Sequence, residues 1–209
     1  MYARRLACAA LFALASCAAT VTAPVAVKLP DNVTSTDVTI DGVPAKRLTR
    51  EDAKAELLYF GDSAMNSVMT LPVNMLIMSG TVTSANASAA VDYLKKDNPL
   101  PIIAHGFGPG SAIAAEVAGT RELPGLVLEA TSGGEAVTKI LGDYRGSILF
   151  VIGEKDRVAP MSVSAKLHDD AGVSPWKRVV VAAGKSHGNA MTADVSLASY
   201  RELVNYIAR

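Results

Sequence analysis

Two ionisable residues in the last third of the chain could work as a pair. Asp156 follows an apolar run, and His187 stands in a glycine-flanked segment, 184–188. A carboxylate that accepts a hydrogen bond from an imidazole fixes the tautomer of the ring. A third segment, 106–111, reads Gly-Phe-Gly-Pro-Gly-Ser after another apolar run. Glycines at this spacing permit the strained strand-to-helix turn that exposes a nucleophile.

These residues depend for their positions on the apolar runs that precede them. Six short apolar runs alternate with segments long enough to hold helices, and they cover 56–60, 73–78, 101–104, 125–128, 148–152 and 178–181. Strands that are apolar on both faces are typical of buried parallel sheets. The alternation predicts an α/β domain with a mainly parallel central sheet and helices on both faces. In such sheets the functional residues lie at the carboxyl ends of the strands.

Local signals place some of the element ends. Asp41-Gly42 stands between two alternating runs and predicts a hairpin turn. Ser84 is expected to cap a helix that continues to Lys96, and Thr192 is expected to cap the last helix.

The composition excludes several classes of protein. The chain has 209 residues, 20 basic and 20 acidic side chains, and half of its residues are hydrophobic. A disordered chain needs lower hydrophobicity and a higher net charge, and a nucleic-acid binder usually has a basic excess. We therefore expect one compact domain that does not bind nucleic acid.

The N-terminal region is typical of an exported protein. Residues 1–16 are predicted to be a signal peptide, because two arginines precede a short apolar stretch. The sequence Leu-Ala-Ser-Cys resembles the lipobox of bacterial lipoproteins, whose cysteine, here Cys17, is acylated and becomes the mature N-terminus. We expect a lipid-anchored tether over 17–36, a domain over 37–209 and a location in the cell envelope facing the periplasm. A secreted or soluble periplasmic protein, or an uncleaved membrane helix, are the alternatives.

The sequence indicates no cofactor and no metal. Cys8 and Cys17 are the two cysteines and both lie in the N-terminal region, so the predicted domain has no thiol for redox chemistry or metal binding. The three histidines are scattered, which argues against a metal site. His105, at a strand end, is expected to be packed and hydrogen-bonded, and His168 is expected to lie on the surface.

Four segments, in this order along the chain, resemble the α/β-hydrolase superfamily over about residues 37–209. The turn at 106–110 looks like its nucleophile elbow, Asp156 looks like its catalytic acid, and His187 looks like its catalytic histidine. Gly61 and Asp62 resemble part of the loop that supplies an oxyanion donor. The resemblance implies the α/β-hydrolase fold.

The glycine-rich turn has one alternative interpretation. The Gly-Phe-Gly-Pro-Gly sequence also has some likeness to a dinucleotide-binding loop, but no glycine fingerprint stands at the first strand, where that fold carries it.

Only about seventeen residues separate Glu129 from Ser147. That is too few for the separate helical cap of many family members, so we expect an open and shallow site.

The chain departs from the family pattern at its central residue. Gly108 stands at the nucleophile position and has no side chain with which to form an acyl-enzyme. The oxyanion hole of the family uses the backbone N–H of the next residue, and here that residue is Pro109, which has none. A shifted register would place Gly106 at the same position and also lacks a nucleophile. Efficient serine hydrolysis is therefore not expected.

Three other serines are candidate substitutes for the missing nucleophile. Ser111 should point away from the turn, Ser186 adjoins His187, and Ser63 on the oxyanion-side loop is the least implausible nucleophile. We expect a catalytically inactive relative that binds a small molecule or an envelope protein, with Asp156 and His187 either relics or ligand-recognising groups. The alternative is an active hydrolase of ester or amide bonds in which the pair works with a substitute nucleophile or with water.

Overall fold

The computed structural model describes residues 18–21, 29–63, 65–97 and 99–209. The predicted signal peptide and Cys17 lie outside the described residues, as does the segment 22–28 of the predicted tether.

The described residues form ten strands and five α-helices. The strands are β1 (Ala18–Val21), β2 (Thr34–Ile40), β3 (Val43–Thr49), β4 (Ala55–Phe60), β5 (Val73–Met78), β6 (Gly80–Thr83), β7 (Ile102–Phe107), β8 (Gly125–Glu129), β9 (Ser147–Gly153) and β10 (Lys177–Ala182). The helices are α1 (Ser84–Asp97), α2 (Gly110–Thr120), α3 (Glu135–Asp143), α4 (Met161–Asp170) and α5 (Asp194–Ile207).

Eight of the strands form one sheet in the order β10-β9-β8-β7-β4-β5-β3-β2. The six strands from β10 to β5 are parallel, whereas β3 runs antiparallel to both β5 and β2. The hairpin of β2 and β3 turns at Asp41-Gly42, where both residues have positive φ, as an Asp-Gly turn predicts. The predicted mainly parallel sheet is confirmed.

The centre of the sheet is apolar because it is covered on both sides. Every residue of β4, β5, β7, β8 and β9 is buried. Helices α1 to α4 pack on one face, and α5 packs on the other face together with the 65–71 segment. Strands buried on both faces read as continuous apolar runs, and this is why the sequence revealed them.

Two helix starts differ from the predictions. The cap of α1 is Thr83 rather than Ser84, because the Thr83 hydroxyl accepts the Asn86 N–H at 3.3 Å while the Asn86 side chain accepts the Thr83 N–H at 3.0 Å. Helix α5 begins at Asp194, and the Thr192 hydroxyl instead bonds the Asn189 carbonyl. Both errors are within two residues, the usual uncertainty of helix ends.

Two features lie in or near the predicted tether. Strand β2 begins at Thr34, inside the segment 17–36, and β1 pairs antiparallel with β6.

Between β8 and β9 the chain forms only the nine-residue helix α3. The described part of the chain therefore has no large cap in that connection.

A buried ion pair joins the antiparallel and parallel parts of the sheet. Glu56, at the start of β4, is fully buried and accepts two hydrogen bonds from Arg47 of β3, at 2.5 and 2.8 Å. The Asn74 amide of β5 donates to the same carboxylate at 2.8 Å. Removing one partner of such a pair leaves a charge without compensation in the interior.

We expect Arg47→Met to lower the free energy of unfolding by about 3 kcal/mol, because the Glu56 carboxylate would lose its buried counter-charge. Lys46→Met is the matched control, since Lys46 is half exposed and pairs with the exposed Asp37. Its cost should stay below about 1 kcal/mol. Urea unfolding of both variants measures the difference, and equal losses would contradict this account of the pair.

Candidate active site

The turn between β7 and α2 has the geometry of a nucleophile elbow. Strand β7 ends at Phe107, α2 begins at Gly110, and Gly108 between them has φ of +51°. This left-handed conformation is strained for residues with a side chain. The sequence prediction of a tight strand-to-helix turn at this site agrees with the geometry.

The neighbouring glycines identify Gly108 as the apex. A Cβ atom at Gly106 would overlap the backbone of Gly110 and Ser111, and one at Gly110 would overlap the carbonyl of Phe60. A Cβ atom at Gly108 would have no heavy atom within 4 Å. The fold thus requires glycine at 106 and 110 and leaves room for a side chain only at 108, so the shifted register with Gly106 at the apex is excluded.

Pro109 follows the apex as the residue before α2, with φ of −60°. The pyrrolidine ring of proline restricts φ to about this value, and proline has no backbone N–H. The donor that the resemblance implies at this position is therefore lacking from the turn.

Asp156 and His187 form a hydrogen-bonded pair. The loops after β9 and β10 bring them together, with His187 Nδ1 at 2.8 Å from Asp156 Oδ2. The other carboxylate oxygen of Asp156 accepts the backbone N–H groups of Val158 at 2.8 Å and Ala159 at 2.9 Å. With the carboxylate ionised, Nδ1 carries the proton and Nε2 is the free acceptor of the neutral ring.

The hydrogen bonds outweigh burial in setting the charge of Asp156. Burial by itself acts to raise the pKa of this carboxyl group. The Ala159 N–H, the His187 ring and the Val158 N–H stabilise the carboxylate more strongly, so the pKa of Asp156 lies below its usual range. The pair therefore holds a negative charge against the imidazole at neutral pH.

The histidine ring lies beside the elbow. Its centroid is 4.8 Å from that of Phe107, the residue before the apex. The His187 side chain is 32% exposed, whereas the Asp156 carboxylate is fully covered. A bound molecule can therefore contact the His187 ring, whereas the Asp156 carboxylate is covered and can act only through its hydrogen bond to that ring.

The oxyanion-side loop packs closely against the elbow. A Cβ atom at Gly61 would lie 2.6 Å from the Cβ atom of Phe107 and 2.8 Å from the Tyr59 hydroxyl. Gly61 is buried and Asp62 is exposed. The structure therefore brings Gly61, Pro109, His187 and Asp156 to one edge of the sheet, around a residue without a side chain.

Two of the other serines donate hydrogen bonds elsewhere, and the third lies exposed. The Ser111 hydroxyl donates to the Gly106 carbonyl at 3.0 Å, and the Ser63 hydroxyl donates to Glu129 at 2.7 Å. Ser186 is exposed beside His187, and its N–H donates to the Asn189 side chain. No hydrogen bond joins these three hydroxyls to the Asp156–His187 pair.

The remaining two histidines lie away from the pair. His105 is fully buried as predicted, with Nε2 at 3.3 Å from Glu129 Oε2. The expected hydrogen bond is missing, because neither ring nitrogen has a partner of good geometry among the described residues. His168 lies partly exposed on α4, beside Asp169. Within the described ranges no group of three or more His, Cys, Asp or Glu could hold a metal ion.

Sequence reasoning missed Glu129. It is the last residue of β8 and is fully buried next to the elbow. A signal was available, because a charged residue that ends an otherwise apolar strand lies at the edge where functional residues collect.

Sizeable cavities lie away from this site. One has a volume of about 630 Å³ and is lined by residues within 31–34 and 49–52. Another has a volume of about 480 Å³ and is lined by residues at the ends of α2 and α3, among them Leu123, Ile140 and Tyr144. These residues lie where β8 and β9 begin, which is the opposite edge of the parallel sheet. Volume alone is therefore a poor guide to the candidate site in this fold.

Comparisons with known proteins agree with the geometry at the level of the fold. No family model and no curated protein matches the chain. An esterase from Pyrococcus furiosus matches 91% of this chain and 98% of its own, with a TM-score of 0.70 and 11% identity. A cold-adapted esterase from an Arctic intertidal metagenomic library matches 86% and 96%, with a TM-score of 0.66 and 12% identity. A protein described as a predicted CIB-like hydrolase from Thermoplasma acidophilum matches 84% and 98%, with a TM-score of 0.63 and 14% identity. The chain thus has the α/β-hydrolase fold.

The lowered pKa of Asp156 predicts how its removal affects stability. A carboxyl group whose pKa is lower in the folded state stabilises the protein above its unfolded pKa of about 3.9, and this contribution is lost as the pH falls through the folded pKa. We expect Asp156→Asn to be less stable than the parent at pH 7, with a difference that shrinks below about pH 4.

Urea unfolding at several values between pH 3 and pH 7 measures this dependence. Asp169→Asn is the control, because the Asp169 side chain is 82% exposed. It should stay within about 0.5 kcal/mol of the parent throughout, as is usual for surface substitutions. A deficit of Asp156→Asn that is independent of pH would contradict the prediction.

Proposed function

We propose that this protein is a catalytically inactive member of the α/β-hydrolase fold that uses the cleft around Asp156 and His187 to bind a small molecule or an envelope protein. The observation that carries the proposal is Gly108, which stands with a left-handed φ at the apex of a turn with the backbone geometry of a nucleophile elbow. The one position of the turn with room for a side chain therefore has no nucleophile.

The loss of serine chemistry is large in energetic terms. Removing the nucleophile of a triad leaves at best a residual acceleration of roughly 1000- to 10000-fold over water, which comes from binding and the oxyanion hole. Removing one oxyanion donor costs roughly 100- to 1000-fold more. Pro109 removes such a donor, so even the residual activity should be small.

The chemistry of the cleft suggests the kind of ligand. The Nε2 atom of a neutral His187 ring accepts a hydrogen bond, and the space beside Gly108 is open to an oxygen that would replace the missing side chain. Val158 and Met161, which follow Asp156, are 69% and 53% exposed. We therefore favour a ligand that offers a hydroxyl group to His187 and an apolar part to the loop 158–161.

A second candidate function is hydrolysis by activated water. It is favoured by the Asp156–His187 hydrogen bond of 2.8 Å, which persists without a nucleophile. In this mechanism water attacks a carbonyl carbon while His187 Nε2 takes its proton, and the same proton then passes to the leaving alcohol or amine. Asp156 would stabilise the imidazolium that forms in between.

The purified domain should be tested with a fluorophosphonate probe and with a short-chain nitrophenyl ester. We expect neither labelling nor turnover above background, because Gly108 has no hydroxyl group to phosphonylate. Specific labelling of any serine would overturn the proposal. Turnover without labelling, abolished by His187→Ala, would instead support the water mechanism.

Repaired variants provide the positive control for this experiment. Gly108→Ser alone should restore little activity, since Pro109 still provides no N–H. Gly108→Ser combined with Pro109→Leu should label and hydrolyse the ester, at roughly 100-fold or more above the single variant. Pro109→Leu alone is the matched control and should remain inactive. Full activity of Gly108→Ser alone would show that the oxyanion donor comes from elsewhere.

The expected location is part of the same proposal. We propose that the domain is exported and held in the envelope by a lipid on Cys17, with several acyl chains giving stable attachment. No helix in the described ranges has the length and apolar character needed to span a bilayer.

Expression in a bacterium followed by fractionation tests this location. We expect the parent in the membrane fraction, with the mass of an acylated N-terminus at Cys17. Cys17→Ala should lose the acyl mass, and Cys8→Ala is the matched control. An unacylated parent with a mature N-terminus elsewhere would refute the anchor.

A further inference from the structure

Glu129 occupies a central place under the elbow. It is the last residue of β8, pairs in register with Phe107, and has no exposed surface. Its backbone carbonyl accepts the N–H of Gly108 at 2.9 Å. The apex of the turn is therefore held by the backbone of this residue.

The side chain of the same residue holds the oxyanion-side loop. The Ser63 hydroxyl donates to Glu129 Oε2 at 2.7 Å. Ser63 is also joined to Tyr59, because its N–H donates to the Tyr59 oxygen at 2.9 Å and the two hydroxyls lie 2.8 Å apart. Since the Ser63 hydroxyl donates its hydrogen bond to the carboxylate, the Tyr59 hydroxyl donates to Ser63 Oγ.

The surroundings of the Glu129 carboxyl group supply little further hydrogen bonding. Glu129 Oε1, both His105 ring nitrogens and the Tyr200 hydroxyl are buried with no hydrogen-bond partner among the described residues. Burial, and then the charge of Glu129, raises the pKa of Tyr59 and of Tyr200, so both hydroxyls stay protonated. His105 lies between the two tyrosine rings, with Nε2 at 3.3 Å from the Glu129 carboxylate. Among the described residues it is the one basic side chain at ion-pair distance from Glu129.

The backbone after Glu129 has an unusual conformation. Ala130 has φ of +48°, which is uncommon for a residue with a side chain, and its N–H donates to the Val151 carbonyl at 2.9 Å. Such strain persists only where the surrounding structure fixes it. Here it accompanies the change of direction that leaves the Glu129 side chain under the elbow.

We propose that Glu129 is a positioning residue that fixes the loop 61–63 relative to the elbow, through its carbonyl on one side and its carboxyl group on the other. The other links between the two segments are the packing of Gly61 on Phe107 and the pairing of Phe60 with Gly106 at the ends of β4 and β7. The role concerns the shape of the cleft, so it holds whether the cleft binds a ligand or activates water.

Amide hydrogen exchange measured residue by residue by NMR tests the proposal without a ligand. Glu129→Leu should raise exchange at residues 61–63 by roughly tenfold, the effect of losing one buried hydrogen bond. The Gly108 amide should change little, because the backbone carbonyl of residue 129 that accepts it is retained. Glu129→Gln should stay within about twofold of the parent, because an amide oxygen still accepts from Ser63 and the amide nitrogen can donate to His105.

Ser111→Ala is the matched control, since Ser111 is a buried serine at the same turn whose hydroxyl bonds the Gly106 carbonyl instead. It should leave exchange at residues 61–63 unchanged. If Glu129→Leu does not fold, Ser63→Ala removes the same link from the other side and should raise exchange at residues 61–63.

Three results would overturn the role. These are unchanged exchange at residues 61–63 in Glu129→Leu, or in Ser63→Ala where the first variant does not fold; a rise spread evenly over β7 and β8; and a Gln variant that behaves like Leu. None of them depends on turnover or labelling, so failure here is distinct from failure of the proposed function.

Discussion

The close packing between the elbow and its neighbours is the constraint on which the site depends. Strand β7 must turn into α2 within two residues, and the backbone at 106 and 110 approaches its surroundings so closely that no Cβ atom fits. The turn is made possible by a left-handed residue at 108, which glycine adopts without strain. The same packing brings Gly61 against Phe107 and sets the position that a nucleophile would occupy.

The structure keeps this geometry although the central chemical group is missing. The Asp156–His187 pair is formed, and its imidazole lies on Phe107 beside the apex. Serine at 108 would fit the space but would adopt a strained φ. Glycine adopts this φ without strain but has no hydroxyl group. Pro109 has a similar consequence, because it suits the start of a helix and removes a donor. Both residues favour the conformation of the turn, and in the proposed function both act against acyl transfer.

Two carboxylates divide the support of the cleft between them. Asp156 orients the histidine from the loop after β9, and Glu129 joins the oxyanion-side loop to the elbow from the end of β8. Each accepts hydrogen bonds, but Glu129 does so only at Oε2, and its Oε1 has no partner among the described residues. They differ in their neighbours, since Asp156 takes two backbone N–H groups, whereas Glu129 faces side chains from β4, β7 and α5. The first arrangement is local in sequence and the second is not.

The sequence by itself determined the class of fold, the strand runs, the elbow and the identity of the residue at its apex. These follow from local patterns, because fully buried strands are apolar throughout and tight turns require glycine. The starts of α1 at Ser84 and of α5 at Asp194 were missed by one or two residues, since several polar residues there could act as caps. Only the tertiary structure decided that Asp156 and His187 lie 2.8 Å apart and that Ser63 points to Glu129. Those contacts join residues 31 and 66 positions apart, and distances of this kind are set by the packing of whole strands and helices, which no local pattern encodes.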